Sequence, residues 1–475
     1  MNHTNHSLPQ QGNHYSLFEK KMKDKELDTS VIEAFQYYYD LLLSGEKGKV
    51  YEKDISNVLH SDIPQLKDLD HYASFGKEVL NKTVIIKLNG GLGTTMGLGM
   101  NMAKSLLPIK HNYSFLEIYF HQIMKYKNQM PIPLILMNSF NTHDKTLEAI
   151  KTIGAENDVD CFIQNMFPKV EKDTYRPASF PNNPSLEWNP PGHGEIYVAL
   201  KSSGMLKKCL DQGIQYAFIS NSDNIGAVLN LSLLGYVAGK QLPFVMEVVR
   251  RGPLDTKGGH LALHKSGKLI LRELSQCPKD EIHLFEDISL YQFFNTNNLW
   301  VNLPMLSEYL EQNHFVPLPM ICNPKTLNPA DASTPCVYQL ETAMGNAISV
   351  FENSSAVIVN HRRYIPVKRN EQLLVIWSDY YLYDVDNNLY PNPKRQLGPI
   401  HIKLDETYYS AFDHFTKRFP EGAPSLVDCE SLTVKGDVLF KKNVVIKGNV
   451  TIENKTSSPL IIEQDRILEN DHFTR

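Results

Sequence analysis

Residues 84–105 have the sequence VIIKLNGGLGTTMGLGMNMAKS, and this stretch decides the fold class. A short apolar run leads into a loop with five glycines, and a lone Lys104 follows the loop. The glycines are Gly90, Gly91, Gly93, Gly97 and Gly99. Glycine has no Cβ, so backbone N–H groups can approach an anion closely, and the lysine adds a movable positive charge. The stretch therefore predicts a buried strand followed by a nucleotide-phosphate site, although an ordinary glycine-rich turn has the same composition.

Strands and helices are predicted to alternate beyond this stretch. Apolar runs predict strands at residues 83–88, 134–137, 216–220 and 244–249, and helices are predicted at residues 114–127 and 142–153. Ser114 and Glu117 form a capping box for the first helix, and Thr142 is the expected cap of the second. Such alternation is typical of βαβ units in a doubly wound parallel sheet, where ligands lie beyond the carboxyl ends of strands. The glycine loop after Leu88 and a polar cluster after Ser220 both follow such ends.

The N-terminal region is predicted to add a helix to this core. Residues 1–14 are rich in His, Asn and Gln and are expected to be disordered. From Ser30 to Gly45 the apolar residues recur with helical spacing, and Ser30 with Glu33 forms a predicted capping box. The glycine is the expected end of this helix.

The tail of the chain has a six-residue repeat. Its apolar positions are Val434, Phe440, Ile446 and Ile452, with a second set at Val438, Val444 and Val450. A period of six with glycines at the bends, here Gly436 and Gly448, indicates a parallel β-helix, of which three hexads make about one coil. An antiparallel hairpin is the alternative, because a period of two also divides six. The edge of such a coil could join a second copy of the chain in a homo-oligomer.

Size, composition and charge narrow the class of protein. The chain has 475 residues, 42% of them apolar, and a net charge of −5, which suits a globular protein of more than one domain without a nucleic-acid or membrane partner. We find no secretory signal and no apolar run of membrane-spanning length. The six scattered cysteines form no CxxC pair, so reduced thiols and a cytoplasmic location are expected.

Five further polar segments lie beside apolar runs. They are PPGHGEIY (190–197), SNSDNIGA (220–227), KGGH (257–260), FNTNNLW (294–300) and YIPVKR (364–369). Within them, His193 lies between two glycines, Asp223 follows a predicted strand, and Lys368 follows a short strand. Each also has an ordinary interpretation, because a lone histidine is often structural, an aspartate often caps a helix, and a surface lysine is often solvated.

Taken in order, these segments resemble the eukaryotic UTP–glucose-1-phosphate uridylyltransferase family, also called UDP-glucose pyrophosphorylase. Further matching segments are KLNGGLGTTMG, LMNSFNT, FVMEV, QLETAMGNAI and the hexapeptide tail. The resemblance implies an α/β fold with a doubly wound, Rossmann-like nucleotidyltransferase domain and a C-terminal parallel β-helix. The predicted domains are an N-terminal helical extension with a disordered start (1–80), the catalytic domain (81–375) and a left-handed hexapeptide β-helix domain (376–475).

The resemblance also implies a reaction. A phosphate oxygen of glucose 1-phosphate attacks the α-phosphorus of UTP in line, and UDP-glucose and pyrophosphate form. Mg²⁺ is the implied cofactor, and UTP and glucose 1-phosphate are the implied partners. Because both reactants are polyanions, neutralising their charge is the main catalytic task.

Matching positions imply the residues of a UTP site. They are Leu88, Asn89, Gly90, Gly91, Lys104, Gln164, Gly192, Asp223 and Lys368. Gln164 matches a glutamine that contacts the uracil edge, although an exposed loop amide is the alternative. Three of the residues are implied to be catalytic. Lys104 contacts the triphosphate, Asp223 holds Mg²⁺ against the α-phosphate, and Lys368 stabilises charge on the α- and β-phosphates.

A second set of positions implies the glucose 1-phosphate site. Its residues are His193, Asn221, Asn297, Glu273 and Gly259. The resemblance implies that His193 donates a hydrogen bond to the sugar phosphate and that Asn297 binds glucose hydroxyls. Glu273 and Gly259 are further candidates for the same pocket.

One segment departs from the family pattern. Between Met96 and Lys104 the chain is two residues longer and lacks a basic residue, so a more mobile loop and a less firmly placed Lys104 are expected. Two alternative functions stay open: a broader UDP-sugar or UDP-N-acetylhexosamine pyrophosphorylase, and a non-catalytic nucleotide-binding scaffold. Retention of Lys104, Asp223 and Lys368 favours an enzyme.

Overall fold

The computed structural model describes residues 13–98, 103–110, 112–126, 131–252, 255–385 and 388–475. Residues 1–12 of the predicted disordered start, the predicted helix end at residue 127 and Gly99 of the glycine loop lie outside these ranges. The chain forms two compact units. The first contains Met1–Ile86, Phe162–Ile219 and Asn230–Val359, and the second contains Lys87–Cys161, Ser220–Leu229 and Asn360–Arg475. The domain boundaries at residues 80 and 375 stay a prediction.

Helices occur in both units. In chain order they are α1 (Tyr15–Lys23), α2 (Thr29–Leu43), α3 (Ala73–Glu78), α4 (Phe115–Met124), α5 (His143–Thr152), α6 (Ile196–Ser202), α7 (Met205–Asp211), α8 (Leu231–Gly239), α9 (Ile282–Phe285), α10 (Leu303–Asn313), α11 (Asn370–Trp377), α12 (Glu406–Tyr409) and α13 (Phe412–Arg418). The helices α4, α5 and α11 to α13 belong to the second unit.

Strands also occur in both units. In chain order they are β1 (Ile55–Asn57), β2 (Thr83–Asn89), β3 (Pro108–Lys110), β4 (Tyr113–Ser114), β5 (Leu134–Asn138), β6 (Val159–Ile163), β7 (Phe167–Pro168), β8 (Val170–Glu171), β9 (Trp188–Asn189), β10 (Tyr216–Asn221), β11 (Phe244–Arg250), β12 (His260–His264), β13 (Leu269–Arg272), β14 (Phe293–Asn302), β15 (Met320–Thr326), β16 (Cys336–Thr342), β17 (Ser355–Ile358), β18 (Tyr381–Tyr383), β19 (Leu389–Pro391), β20 (His401–Lys403), β21 (Cys429–Lys435), β22 (Val438–Phe440), β23 (Val445–Glu453), β24 (Leu460–Ile462), β25 (Ile467–Glu469) and β26 (His472–Thr474). The four predicted strands correspond to β2, β5, β10 and β11.

The sheet of the first unit is mixed. β14 runs antiparallel to both β10 and β11, whereas β11 pairs in parallel with β17. The strand β12 pairs with β14 through His260 and runs antiparallel to both β1 and β13. The predicted doubly wound sheet thus also contains antiparallel pairs at β10 and β11, because the polar FNTNNLW segment, which was not predicted as a strand, forms part of β14. The α/β class is confirmed.

The strand β5 belongs to the second unit and lies between β2 and β6 in the strand order. The helices α4 and α5 flank β5 in sequence. The predicted capping box of α4 is present. Ser114 Oγ accepts a hydrogen bond from the Glu117 N–H at 3.2 Å, and Glu117 Oε2 accepts one from the Ser114 N–H at 2.7 Å. All five residues of β5 are buried, as a strand inside a sheet requires.

The predicted Ser30/Glu33 capping box of α2 is wrong. The N-cap lies two residues earlier, at Asp28, whose Oδ1 accepts a hydrogen bond from the Ser30 N–H at 2.8 Å. A carboxylate satisfies this N–H group, which has no partner within the helix, and also suits the positive end of the helix dipole. Glu33 instead lies 2.9 Å from His314 Nδ1.

Helix α1 is not predicted by its polar sequence, yet it buries two side chains in the first unit. Phe18 is fully buried, and its ring centroid lies 5.0 Å from that of Phe35 and 4.8 Å from that of Tyr39. Two apolar residues on one face are enough to fix this helix because they enter an existing aromatic cluster.

Phe18→Ala is therefore expected to lower the free energy of unfolding by about 3–5 kcal/mol, since it removes a ring from a filled core. Urea denaturation measures the change. The matched control is Leu17→Ala, because the Leu17 side chain is 45% exposed, and we expect a change of about 0.5 kcal/mol or less. Equal losses in the two variants would show that α1 does not pack as described.

The tail forms stacked parallel strands. β21 pairs in parallel with β20 and β23, β22 with β24, and β23 with β25 and β26. Val434 lies opposite Ile452, three hexads later, so successive coils align in register and bury their apolar residues. The parallel β-helix prediction is confirmed and the hairpin alternative is wrong. Gly436 has φ of +79° at a bend, where a Cβ would lie 2.2 Å from the Asn454 carbonyl oxygen.

The cysteines are all free thiols. Burial raises the pKa of Cys161 and Cys322 to about 11 and that of Cys429 to about 12. These thiols are therefore protonated and unreactive at neutral pH. Among the described residues, no helix combines the length and hydropathy that a bilayer span requires.

Candidate active site

The start of the glycine loop in the second unit is held by a buried hydrogen-bond network. Asn89 is fully buried, and its Nδ2 donates to Asn138 Oδ1 at 2.7 Å and to Thr146 Oγ1 at 2.9 Å. The Thr142 hydroxyl donates to the Asn89 carbonyl oxygen at 2.8 Å. Thr142 occupies the N-cap position of α5, but the prediction that its side chain caps the helix is wrong, because the hydroxyl bonds to the loop instead. The LMNSFNT segment fixes the loop instead.

The rest of the described loop needs glycine for its backbone conformation. Gly93 and Gly97 have φ of +60° and +66°, in the left-handed region that other residues rarely adopt. Among the residues that the structure describes, nothing lies within 4 Å of the position that a Cβ of Gly91 would take. The Lys104 N–H donates to the Gly91 carbonyl oxygen at 3.0 Å, so the end of the loop returns to its start.

Lys104 and Asp223 form an ion pair beside this loop. Lys104 Nζ lies 2.7 Å from Asp223 Oδ2, and the lysine is only 8% exposed. The Ser222 N–H donates to the Leu88 carbonyl oxygen at 3.1 Å, which joins the two loops at the ends of β2 and β10. Lys104 is therefore held by a backbone hydrogen bond and by its ammonium group, whereas the mobility expected of the longer loop stays a prediction, because residues 99–102 lie outside the described ranges.

Lys368 follows a segment that is fastened to the Asp223 loop. The Val367 N–H donates to the Asp223 carbonyl oxygen at 3.0 Å. Asn224 Oδ1 accepts from the Ile365 N–H at 2.8 Å. Because both loops share these bonds, the backbone of Lys368 is placed directly beside the loop of Asp223. Asn221, at the end of β10, belongs to the same group.

A buried lysine, Lys87, donates hydrogen bonds to both ends of the loop that carries Asp223. Lys87 is 1% exposed, and its Nζ donates to Ser220 Oγ and to the Ala227 carbonyl oxygen, both at 2.8 Å. The ammonium also lies 4.2 Å from the ring centroid of Tyr119, whose hydroxyl donates to the Ser222 carbonyl oxygen at 3.0 Å. The sequence analysis missed this role. A lysine in the middle of the apolar strand VIIKL is the signal that could have found it, since a buried charge needs partners.

In the first unit, the PPGHGEIY turn packs against the end of β16. The Thr342 N–H donates to the Pro191 carbonyl oxygen at 2.8 Å. Gly192 has φ of +79°, and a Cβ there would lie 2.4 Å from the Thr342 carbonyl oxygen. The glycine is therefore required for the close approach, and the turn leads into α6 with His193 at its start.

His193 is neutral and has a defined tautomer. Burial lowers its pKa to about 4. The Met344 N–H donates to His193 Nδ1 at 3.0 Å, so Nδ1 is an acceptor and the ring proton lies on Nε2. His193 therefore offers one N–H donor, as binding to a phosphate oxygen requires.

The low pKa of His193 predicts a pH-dependent stability. The unfolded chain takes up a proton on this ring near its ordinary pKa of 6.5, whereas the folded chain does so near 4, so stability is lost as pH falls through that window. His193→Asn keeps an acceptor for the Met344 N–H but does not titrate. We expect the unfolding free energy of the wild type to fall relative to this variant as pH falls from 6.5 toward 4 in urea titrations. A pH-independent difference would contradict the buried neutral histidine.

Gln164 is buried, and the residue next to it in sequence binds the buried carboxyl group of Glu195. Gln164 is 7% exposed, which excludes the exposed loop amide considered above. Its neighbour Asn165 donates from Nδ2 and from its backbone N–H to the two carboxyl oxygens of Glu195. Burial raises the pKa of Glu195 to about 8. The start of α6 thereby fixes the chain next to Gln164.

The remaining sugar-site candidates come together in the first unit. A Cβ on Gly259 would lie 2.5 Å from Glu273 Oε2, so the Glu273 carboxylate lies directly against the Gly259 backbone. The Gly259 carbonyl oxygen accepts from the Asn295 N–H at 3.0 Å. Asn295 in turn contacts Asn297, the predicted glucose ligand. Gly259 of KGGH, Glu273 directly after β13, and Asn295 and Asn297 of FNTNNLW thus form one cluster.

Most of the chain is similar to proteins of known family. Residues 32–447 match the protein family described as UDPGP, UTP–glucose-1-phosphate uridylyltransferase. The chain is 36% identical over 419 residues to the UTP–glucose-1-phosphate uridylyltransferase of Hordeum vulgare, which covers 86% of this chain and 84% of that protein. It is 37% identical over 450 residues to that of Encephalitozoon cuniculi, covering 93% of this chain and 87% of that protein.

A solved structure is similar over almost the whole chain. It is a point mutant of UDP-glucose pyrophosphorylase from Leishmania major in complex with UDP-glucose. The TM-score is 0.89 at 38% identity, covering 98% of this chain and 100% of that chain. The similarity includes both the α/β region and the tail.

Proposed function

We propose roles for the site residues on the basis of the family to which the chain belongs. It is a member of the UTP–glucose-1-phosphate uridylyltransferase family and an enzyme that makes UDP-glucose from UTP and glucose 1-phosphate. The observation that carries our proposal is the ion pair of Lys104 and Asp223, 2.7 Å apart beside the glycine loop. It supports the proposal because an ammonium and a carboxylate beside a glycine loop suit a triphosphate with its metal ion. The segment before Lys368 is fastened to the same loop.

The reaction needs charge neutralisation above all. A phosphate oxygen of glucose 1-phosphate forms a bond to the α-phosphorus, and the bond from that phosphorus to the bridging oxygen breaks as pyrophosphate leaves. Two unit charges 4 Å apart repel by about 1 kcal/mol in water and by about 4 kcal/mol at an effective dielectric of 20. Lys104 orients the triphosphate, and Lys368 stabilises the charge that develops on the α- and β-phosphates.

We propose that Asp223 holds Mg²⁺. This ion favours one or two carboxylates together with phosphate oxygens and water. Asp223 supplies one carboxylate, and its Oδ1 has no hydrogen-bond partner among the residues that the structure describes. In the same residues no group of three or more His, Cys, Asp or Glu side chains lies together, so substrate oxygens would complete an open site. When bound, the ion would neutralise charge on the α-phosphate.

The residues of the first unit are proposed to recognise the two substrates. The Gln164 amide contacts the uracil edge, and the backbone of Gly192 adds a contact to the base. The neutral His193 donates from Nε2 to the sugar phosphate. The cluster of Gly259, Glu273 and Asn297 binds glucose hydroxyls, and Asn221 of the second unit is assigned to the sugar as well. Leu88, Asn89, Gly90 and Gly91 bind uridine through their backbone.

A panel of sugar phosphates tests the assignment of the substrate. We expect pyrophosphate release with UTP and glucose 1-phosphate to exceed that with galactose 1-phosphate or N-acetylglucosamine 1-phosphate by at least about tenfold in kcat/KM, because a site that hydrogen-bonds sugar hydroxyls rejects altered patterns. Equal rates on all three would favour the broader UDP-sugar enzyme. Absence of pyrophosphate at high enzyme concentration would favour a non-catalytic scaffold.

We also propose a homo-oligomer through the tail and a cytoplasmic location. Ile461 and Ile467, on β24 and β25, are 45% and 57% exposed, which leaves apolar side chains on the outer surface of the parallel coil. Light scattering would give the molar mass. The free thiols suit a reducing compartment.

A further inference from the structure

We propose that Asn295 is a positioning residue that fixes the Asn297 amide with its N–H donors toward the sugar, and so selects substrates whose hydroxyl oxygen accepts a hydrogen bond. This inference rests on the proposed role of Asn297 in binding glucose. It is carried by a bulge in β14 and by two reciprocal hydrogen bonds.

The bulge changes the direction of β14 at the predicted sugar ligand. In the pairing with β11, Asn295 lies opposite Val248 and Leu299 lies opposite Met246. Residues 296–298 therefore face the single residue Glu247. Asn297 has φ of +57°, a left-handed conformation that asparagine tolerates better than most residues. Such bulges redirect a side chain, and they are common next to active sites.

Buried contacts hold the bulge in place. The Thr296 hydroxyl donates to the Glu247 carbonyl oxygen at 2.8 Å. Glu247 is fully buried, and its carboxyl oxygens accept from Asn298 Nδ2 at 3.2 Å and from Trp300 Nε1 at 2.9 Å. Residues 296 and 298 are thus engaged with β11, which leaves Asn297 as the half-buried member of the bulge.

The orientation of both amide groups follows from one backbone donor. The Asn297 N–H lies 2.8 Å from Asn295 Oδ1, and a backbone N–H can only donate, so that atom must be the oxygen. Asn295 Nδ2 must therefore be the atom that lies 2.7 Å from the Asn297 side chain, where it donates to Oδ1. The Asn297 oxygen is thereby occupied, and its Nδ2 has no hydrogen-bond partner within the described ranges.

Asn295 itself cannot easily rotate. It is 6% exposed, its N–H donates to the Gly259 carbonyl oxygen at 3.0 Å, and a Cβ on Gly345 would lie 2.7 Å from its Nδ2. The Asn297 side chain therefore already presents its N–H donors before the sugar binds. This reduces the entropy that is lost when the side chain is ordered on binding.

The test reverses this orientation with a near-isosteric change. In Asn295→Asp, one carboxylate oxygen still accepts the Asn297 N–H, but the other repels Asn297 Oδ1, so the Asn297 amide should turn and present its oxygen. Monodeoxyfluoro glucose 1-phosphates are the probes, because fluorine accepts weakly and cannot donate. We measure kcat/KM for glucose 1-phosphate and for the analogue substituted at each ring position, with UTP and Mg²⁺.

We expect the ratio of glucose 1-phosphate to one fluoro analogue to rise about tenfold in Asn295→Asp, because the turned amide then needs a donor from the sugar. Asn297→Asp presents an oxygen in the same place and should give the same rise, which keeps the test valid if the first variant folds poorly. Asn313→Asp, at the exposed end of α10, adds the same charge elsewhere and should leave the ratio unchanged. A merely structural role would lower all rates alike.

Two results would overturn different claims. If Asn297→Ala raises KM for glucose 1-phosphate but neither Asp variant changes any ratio, the proposed orientation is wrong while the sugar role stands. If Asn297→Ala leaves kcat/KM for glucose 1-phosphate unchanged, Asn297 does not bind the sugar, and the proposed function of that residue fails first.

Discussion

Asp223→Asn is expected to lower kcat about a thousandfold or more, with little change in thermal stability, because removing a preorganised charge from a phosphoryl-transfer site has an effect of that order. The asparagine keeps the shape of the side chain. It also keeps an oxygen that can accept a hydrogen bond from Lys104 Nζ, which lies 2.7 Å from Asp223 Oδ2 in the wild type. It loses the negative charge that we assign to Mg²⁺. Pyrophosphate release at a series of Mg²⁺ concentrations, with a thermal melt, measures both effects.

A matched surface change serves as the control. Asp413→Asn removes the same charge from an exposed position on α13 in the same unit and should keep wild-type kcat. If Asp223→Asn reaches the normal rate at high Mg²⁺, the carboxylate assists metal binding without being essential. If it is normal at every concentration, the assignment of Asp223 as the metal ligand is wrong.

Lys368→Ala should lower kcat about a hundredfold to a thousandfold and leave KM for both substrates nearly unchanged. The reason is that its ammonium is assigned to charge that appears only as the bond to pyrophosphate breaks, and such an interaction lowers kcat and kcat/KM together. Steady-state kinetics with each substrate varied in turn gives the two constants separately. A rise in KM at constant kcat would move Lys368 from catalysis to ground-state binding.

Lys417→Ala provides the comparison for this variant. Lys417 is an exposed lysine on α13, so its removal changes the net charge equally and should have no effect on either constant. A general loss of rate in both variants would indicate that overall charge, and not the position of Lys368, controls the reaction.

Regular patterns made part of this structure predictable. The hexads of the tail predict their own burial, because a six-residue period places Val434, Ile446 and Ile452 inside the coil whatever surrounds it. The Ser114/Glu117 capping box is equally local. The glycine loop and the residues around Asp223 could be found because phosphate binding requires small residues and charges at the ends of strands.

Features that depend on distant partners escaped the sequence analysis. The polar residues of FNTNNLW belong to β14 because Thr296 and Asn298 donate hydrogen bonds to Glu247, about fifty positions earlier in the chain. Lys87 is stable in an apolar strand because the loop at residues 220–227 supplies its acceptors. Asp28 displaces Ser30 as the cap of α2, since either residue fits the local pattern and the carboxylate forms the bond. Spacing alone could not decide these cases.

The layered tail has a consequence for how this protein can change its length. Val434 and Ile452 are partners in adjacent layers, and so are Ile446 and Leu468, although the second interval along the chain is longer. Corners therefore absorb extra residues while the ladder keeps its alignment. Insertions and deletions at corners should be tolerated during evolution or engineering, whereas a single residue added within a rung would turn its interior side chains outward.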